Sequence, residues 1–350
     1  MDGLPSGGCG HAPLRIGQLG PRFAPEKPMP ITYLEAIREA QAKALAENDA
    51  VYIYGQDVAG FGGAFKATKH LAERFPGRVL DSPISEDAMV GSAIGAALEG
   101  MRPIVEMQFA DFSSIAFNQI VNHAATHYYR TGVPCPVVVR LPSGGTEGSG
   151  PFHSQCLESI YAHYPGTVVM TPATVEDAYW MFLEAVAIDD PVLFCEHKFL
   201  YYHLKADALP DEPVLPAGRA RVLKPGRHAT VVTYSAMVHE SLKAANELAG
   251  EGWDIEVVDL RTVKPLDTDT VLGSVARTGR LLCVGEGFPW GGVTAEVVSR
   301  VVADGFHLLD APPQRLNCRD TPIPYHPNLW KAHRPTSTSI AETLRSLLHL

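Results

Sequence analysis

Few side chains in this sequence stand at spacings that chemistry requires. Glu86 ends the run Ser82-Pro83-Ile84-Ser85-Glu86, where a strand gives way to a helix. A carboxyl there can bond a ligand or handle a proton, but an acid at a helix start is also an ordinary dipole device. His153 sits in a glycine-rich stretch from Gly148 to Gln155. Histidine is a side chain that can move a proton in catalysis, yet a loop histidine usually only faces solvent. Composition alone favours the plain reading of both. His123 and His127 are four apart on an expected helix and share a face. HExxH is absent and no third ligand stands at a diagnostic spacing, so helix packing is expected rather than a metal site. Cys156 follows His153 closely, but closeness in sequence does not make a catalytic pair. Gly60, Gly62 and Gly63 follow a strand without matching GxGxxG or a P-loop, so a plain loop is expected. No GxSxG elbow occurs.

The elements that must position these residues alternate. Thr32-Tyr33-Leu34-Glu35 reads as a capping box opening a helix with Leu34, Ile37, Ala40, Ala44 and Leu45 on one face. Val51–Tyr54, Pro103–Met107, Pro136–Leu141, Thr167–Met170 and Val192–Glu196 read as strands. Helices are expected over Asp87–Leu98, Ser113–Tyr129 and Val175–Ile188. Pro210, Pro213 and Pro216 interrupt an acidic stretch and mark a linker. A second block follows, with strands Thr230–Tyr234, Ile255–Val258, Leu281–Val284 and Arg315–Asn317 between four helical stretches. The expected fold is α/β, as two tandem domains with largely parallel sheets. The expected divisions are an N-terminal arm over 1–29, a first domain over 30–205, a linker over 206–216 and a second domain over 217–350.

The 350 residues are enough for about two domains. Hydrophobic residues make up 46% and charged residues 19%, a globular composition. A net charge of -10 argues against nucleic-acid binding, which needs a basic stripe. No apolar run reaches membrane-span length, and no signal peptide is read at the start. Six scattered cysteines without a CxxC pair suit a reducing compartment, and a cytoplasmic location is expected.

The order of several short motifs is distinctive. Gly55-Gln56-Asp57-Val58 precedes Phe61-Gly62-Gly63-Ala64-Phe65, and Ser82 to Glu86 precedes Arg102-Pro103-Ile104-Val105-Glu106. Gln108-Phe109-Ala110-Asp111-Phe112, His153-Ser154-Gln155, Asp259-Leu260-Arg261-Thr262, Ala311-Pro312-Pro313 and Asp320-Thr321-Pro322 complete the series. In this order, from about Thr32 to the C-terminus, the chain resembles the beta subunit of the decarboxylase component of 2-oxoacid dehydrogenase complexes. That family is transketolase-like and includes pyruvate, branched-chain and acetoin versions.

The resemblance implies a thiamine diphosphate enzyme built of a pyrimidine-binding domain and a transketolase C-terminal-like domain. The family's diphosphate motif, GDG, is absent, so an alpha subunit is expected to hold Mg2+ and the diphosphate within an α2β2 heterotetramer. Glu86 matches the glutamate that hydrogen-bonds the pyrimidine ring nitrogen. Phe112 matches the aromatic that packs on the pyrimidine, and Ile84 and Gln108 match other cofactor-lining positions. His153 matches the histidine that faces the substrate and assists acyl transfer to the lipoyl group of the acyltransferase. No metal site is carried over. The acid of the family's potassium site falls on Ile188, although Cys135, Val137 and Val138 could still offer carbonyls. Gln108 to Asp111 and Glu196-His197-Lys198 look closer to the branched-chain and acetoin versions than to the pyruvate one, and a branched-chain 2-oxo acid is favoured, with pyruvate next. Acetoin cleavage or transketolase- or synthase-type carbon–carbon chemistry on split subunits is the alternative. A non-catalytic assembly subunit is disfavoured by the match at Glu86, Phe112 and His153.

Overall fold

The computed structural model describes residues 30–349, so the arm over 1–29 lies outside the described residues. The strands of the first half are β1 (Ile31–Thr32), β2 (Val51–Gly55), β3 (Val79–Asp81), β4 (Arg102–Glu106), β5 (Val138–Ser143), β6 (Val168–Met170), β7 (Val192–His197) and β8 (Lys205–Ala206). Those of the second are β9 (Arg221–Lys224), β10 (Ala229–Thr233), β11 (Ile255–Asp259), β12 (Thr262–Lys264), β13 (Leu281–Val284) and β14 (Gln314–Leu316). They build a seven-stranded sheet in the order β12-β6-β7-β5-β4-β2-β3 and a five-stranded sheet in the order β14-β13-β10-β11-β9. Within these two sheets every pairing is parallel except β12 on β6 and β9 on β11, while β1 and β8 pair antiparallel as a separate two-stranded sheet. The chain is thus α/β, with two tandem domains and largely parallel sheets. β5 and β7 are buried at every position, as central strands covered on both faces must be. Among the described residues no helix is long and apolar enough to cross a membrane.

The helix Tyr33–Glu47 begins at the expected capping box. The Thr32 amide donates to Glu35 Oε2 at 2.9 Å, and the Glu35 amide donates to Thr32 Oγ1 at 3.1 Å. Its apolar stripe packs on the helix Val175–Ala187. The single helix expected over Ser113–Tyr129 is instead three pieces. They are a 3-10 turn over Ala110–Ser114, a π-helical turn over Gln119–Ala124 and an α-helix over Ala125–Thr131. Apolar periodicity does not separate these windings, and such departures are common beside functional sites.

The two halves interlock. β12 comes from the second half but adds an antiparallel edge strand to the first sheet, beside β6. Just before it lies Arg261, 1% exposed and at φ 57°. Its Nε and Nη2 donate to Asp177 Oδ1 at 3.0 and 2.6 Å. Its guanidinium also donates to the carbonyls of Leu215, Pro216 and Arg219. One buried cation therefore ties the helix Val175–Ala187, the connecting segment and the start of β12. Removing one partner leaves the other buried without compensation. Arg261→Ala is expected to destabilise the protein by about 3–5 kcal/mol, read as a shift of the denaturation midpoint. A shift near zero would mean that water replaces the guanidinium without cost.

Candidate functional site

In a parallel sheet all strands point their carboxyl ends to one edge, and ligands bind in the crevice outside it. Gly55 at the end of β2 aligns with Asp81 of β3 and Glu106 of β4. The loops leaving these ends carry Gln56 and Asp57, then Ile84 and Glu86, then Gln108 and Phe112. The loop after β5 carries His153. Four strand ends thus bring the expected site residues to one edge.

The first of these loops is held from below. Gly63 has φ 79°, and a Cβ there would lie 2.5 Å from Glu106 Oε1. Only glycine fits both the backbone and this approach. Glu106 in turn pairs with the fully buried Arg140, whose Nε and Nη2 donate to Glu196 at 2.6 and 2.7 Å. The expected loop is therefore fitted closely at Gly62 and Gly63, where a Cβ would lie 2.8 Å from the Lys69 Cα and 2.5 Å from Glu106 Oε1, and is open at Gly60.

Glu86 opens the helix Glu86–Leu98 and is 5% exposed. Gln56 Nε2 donates to its Oε1 at 3.1 Å. Among the described residues no other donor reaches the carboxylate, and Oε2 is neither bonded nor sealed from solvent. The carboxylate is therefore not used in capping, and its second oxygen is left without a protein partner among the described residues. Gln108 Nε2 donates to Asp57 Oδ2 at 3.4 Å. The dipeptide Gln56-Asp57 thus touches both Glu86 and Gln108. In the sequence it stands only as part of a motif. Its position directly after a strand end was the signal that could have singled it out.

Phe112 lies in the 3-10 turn and is half-buried, as is His153. Their ring centroids are 5.7 Å apart, edge to face, and His153 stands 4.4 Å from Phe109 in the same manner. His153 is therefore seated in an aromatic cluster rather than free on a loop. Ile84 is 83% exposed, beside Glu86. The structure brings His153 to Phe112, and links Glu86 to Gln108 through Gln56-Asp57. It records no direct contact between these two pairs.

Comparison with known proteins accounts for this arrangement. Residues 29–203 match the family described as transketolase, pyrimidine binding domain, and residues 218–340 match transketolase, C-terminal domain. Pyruvate dehydrogenase E1 component subunit beta of Rickettsia felis is 40% identical over 92% of this chain and 99% of its own. 2-Oxoisovalerate dehydrogenase subunit beta of Bacillus subtilis is 41% identical over 91% of this chain and 98% of its own. The chain belongs to the family of 2-oxoacid dehydrogenase E1 beta subunits. A solved split gene transketolase, an inactive beta4 tetramer, covers 91% of this beta subunit and 99% of its own chain with a TM-score of 0.73. At 22% identity that likeness speaks to the fold alone.

A second cluster joins the domains of the beta subunit. Cys156, His197 and Glu286 bring a sulfur, a ring nitrogen and a carboxylate oxygen within 4.8 Å of one another. Both imidazole nitrogens are engaged. The Phe199 amide donates to Nδ1 at 3.2 Å, so the neutral ring carries its proton on Nε2, 3.1 Å from Glu286 Oε2. That tautomer has no lone pair left for a cation. The Gly145 amide donates to the other oxygen of Glu286 at 2.9 Å. Burial pushes the Glu286 carboxyl up, but His197, Arg334 and the Gly145 amide outweigh it and hold it at about 2. The cluster reads as a clasp between the loop after β5 and the second domain. A groove of about 580 Å³ between His163, Lys264, Val293 and Arg300 shares no lining residue with either cluster.

Proposed function

We propose that this beta subunit holds the aminopyrimidine end of thiamine diphosphate and serves the oxidative decarboxylation of a 2-oxo acid. The acyl group passes to the lipoyl group of an acyltransferase. A branched-chain 2-oxo acid is the favoured substrate and pyruvate the next. The observation that carries the reading is Glu86: a buried carboxylate, steadied on one oxygen by Gln56 and open on the other, at the carboxyl edge of a parallel sheet. That donor set fits the cofactor's pyrimidine nitrogen. When bound, thiamine diphosphate supplies the carbon nucleophile and the electron sink for loss of CO₂. Glu86 would hold the ring nitrogen, Phe112 would pack on the ring, and Ile84 and Gln108 would line it. His153 would hold the proton that the departing lipoyl sulfur needs.

The alpha subunit supplies the Mg2+ and diphosphate contacts in this reading, in an α2β2 assembly. Support comes from Phe61, Ile84, Ile115 and Phe152, apolar side chains more than half exposed on the site's own loops. Such apolar surface suits a partner chain. The described cysteines are free, which suits the reducing cytoplasm. Glu196 and His197, which favoured a branched-chain substrate, are engaged with Arg140 and Glu286, so any effect on substrate choice is indirect.

Co-expression with the alpha chain, followed by assay of a panel of 2-oxo acids with lipoyl domain, tests the reading. Branched-chain substrates should give the highest kcat/KM. Acetoin cleavage or ketol transfer without 2-oxo acid turnover would overturn it. The isolated, folded chain should bind thiamine diphosphate poorly when titrated by calorimetry. Micromolar Mg2+-dependent binding without a partner would refute the split site.

A further inference from the structure

The role proposed for His153 requires its loop to be held, and the holder is a residue to which neither the sequence motifs nor the comparisons assign a part in positioning it. Asp111 lies in the 3-10 turn immediately before Phe112 and is 7% exposed. Its Oδ1 accepts from the amides of Ser154 at 3.3 Å and Gln155 at 3.2 Å. These are the two residues that follow His153. Asp111 Oδ2 is buried and has no partner. Beside it stands Lys198, 4% exposed, whose Nζ donates to the Pro142 carbonyl at 3.1 Å and lies 5.5 Å from the Phe109 ring centroid. Burial pushes the Asp111 carboxyl up, while Lys198 and the two loop amides pull it back. Burial likewise lowers the Lys198 ammonium to about 8.

We propose that Asp111 is the positioning residue for His153, clamping the histidine's loop onto the turn that carries Phe112. A buried carboxylate is expensive to keep without compensation. Here the amides of Ser154 and Gln155, from a segment other than the turn itself, compensate it. The clamp fixes the backbone on the C-terminal side of His153, while Phe109 and Phe112 fix its ring edge-on. Histidine and aromatic thus move as one unit. Asp111 does not touch substrate or cofactor in this scheme. It acts through the loop, and its part in turnover rests on the function proposed above.

The test uses the assembled complex with two variants. Asp111→Ala removes both acceptors, whereas Asp111→Asn keeps an oxygen for the loop amides. Reductive acylation of the lipoyl domain should fall roughly tenfold or more in the alanine variant, and turnover with an artificial electron acceptor should fall much less. The asparagine variant should recover most of the lost acylation. Amide hydrogen exchange at Ser154 and Gln155 should quicken in Asp111→Ala and stay near wild type in Asp111→Asn. Unchanged exchange in the alanine variant would overturn the clamp. So would equal loss of both activities that asparagine fails to restore. The exchange readout needs no substrate, so it judges the clamp even where the wild-type complex turns over no 2-oxo acid, a result that would instead sink the functional reading.

Discussion

Glu86→Gln should slow 2-oxo acid decarboxylation by about 100-fold or more while the complex with the alpha subunit still assembles. The substitution keeps the side chain's size and an oxygen for the Gln56 amide, so the helix start at Glu86 need not move. What changes is the second position of the side chain, the one open to the crevice. A carboxyl can share a proton with a ring nitrogen and release it, whereas an amide N–H is not given up near neutral pH. The measurement is decarboxylation with an artificial electron acceptor, which bypasses the lipoyl step. A near-normal rate in a verified complex would remove Glu86 from the chemistry and return it to the role of a dipole device.

His153→Ala should separate two activities that Glu86→Gln lowers together. In the proposed function decarboxylation rests on Glu86 and the cofactor, whereas reductive acylation would also need a proton delivered to the departing lipoyl sulfur. A positioned general acid contributes about 10²–10⁴-fold. Acylation of the lipoyl domain should therefore fall by about 100-fold, with artificial-acceptor turnover largely spared. The ring also fills space against Phe109 and Phe112, so some loosening of Phe112 accompanies its loss. Equal and severe loss of both activities would mean that His153 shapes the substrate pocket instead of supplying a proton. Little change in either would mark it as a spectator.

The local parts of this fold were readable because their signals are local. Thr32 and Glu35 are three residues apart and bond each other, and β13 is a continuous apolar run. The site was harder, because its contacts span long separations. Glu86 meets Gln56 across 30 residues, Asp111 meets Gln155 across 44, and His197 meets Glu286 across 89. Nothing in composition pairs them. Resemblance supplied Glu86, Phe112 and His153, but not the residues that hold them. β12 escaped notice for a related reason. It is three residues long, and its partner strand lies in the other domain. Ser113–Tyr129 failed differently: helical periodicity is blind to the tighter and wider turns that set Phe112 in place.

The strand that crosses between domains has a consequence for how the molecule comes apart. Were the chain severed in the proline-marked connection and the halves then parted, β6 would become a bare sheet margin with unpaired amides and carbonyls. Such a margin templates pairing with a second molecule. The side chain of Asp177 would also be left in the interior with Arg261 gone. The halves are therefore two domains by topology, joined by a shared sheet edge and a buried ion pair. Neither can part from the other without baring the β6 margin, whose covering strand is laid down late in synthesis.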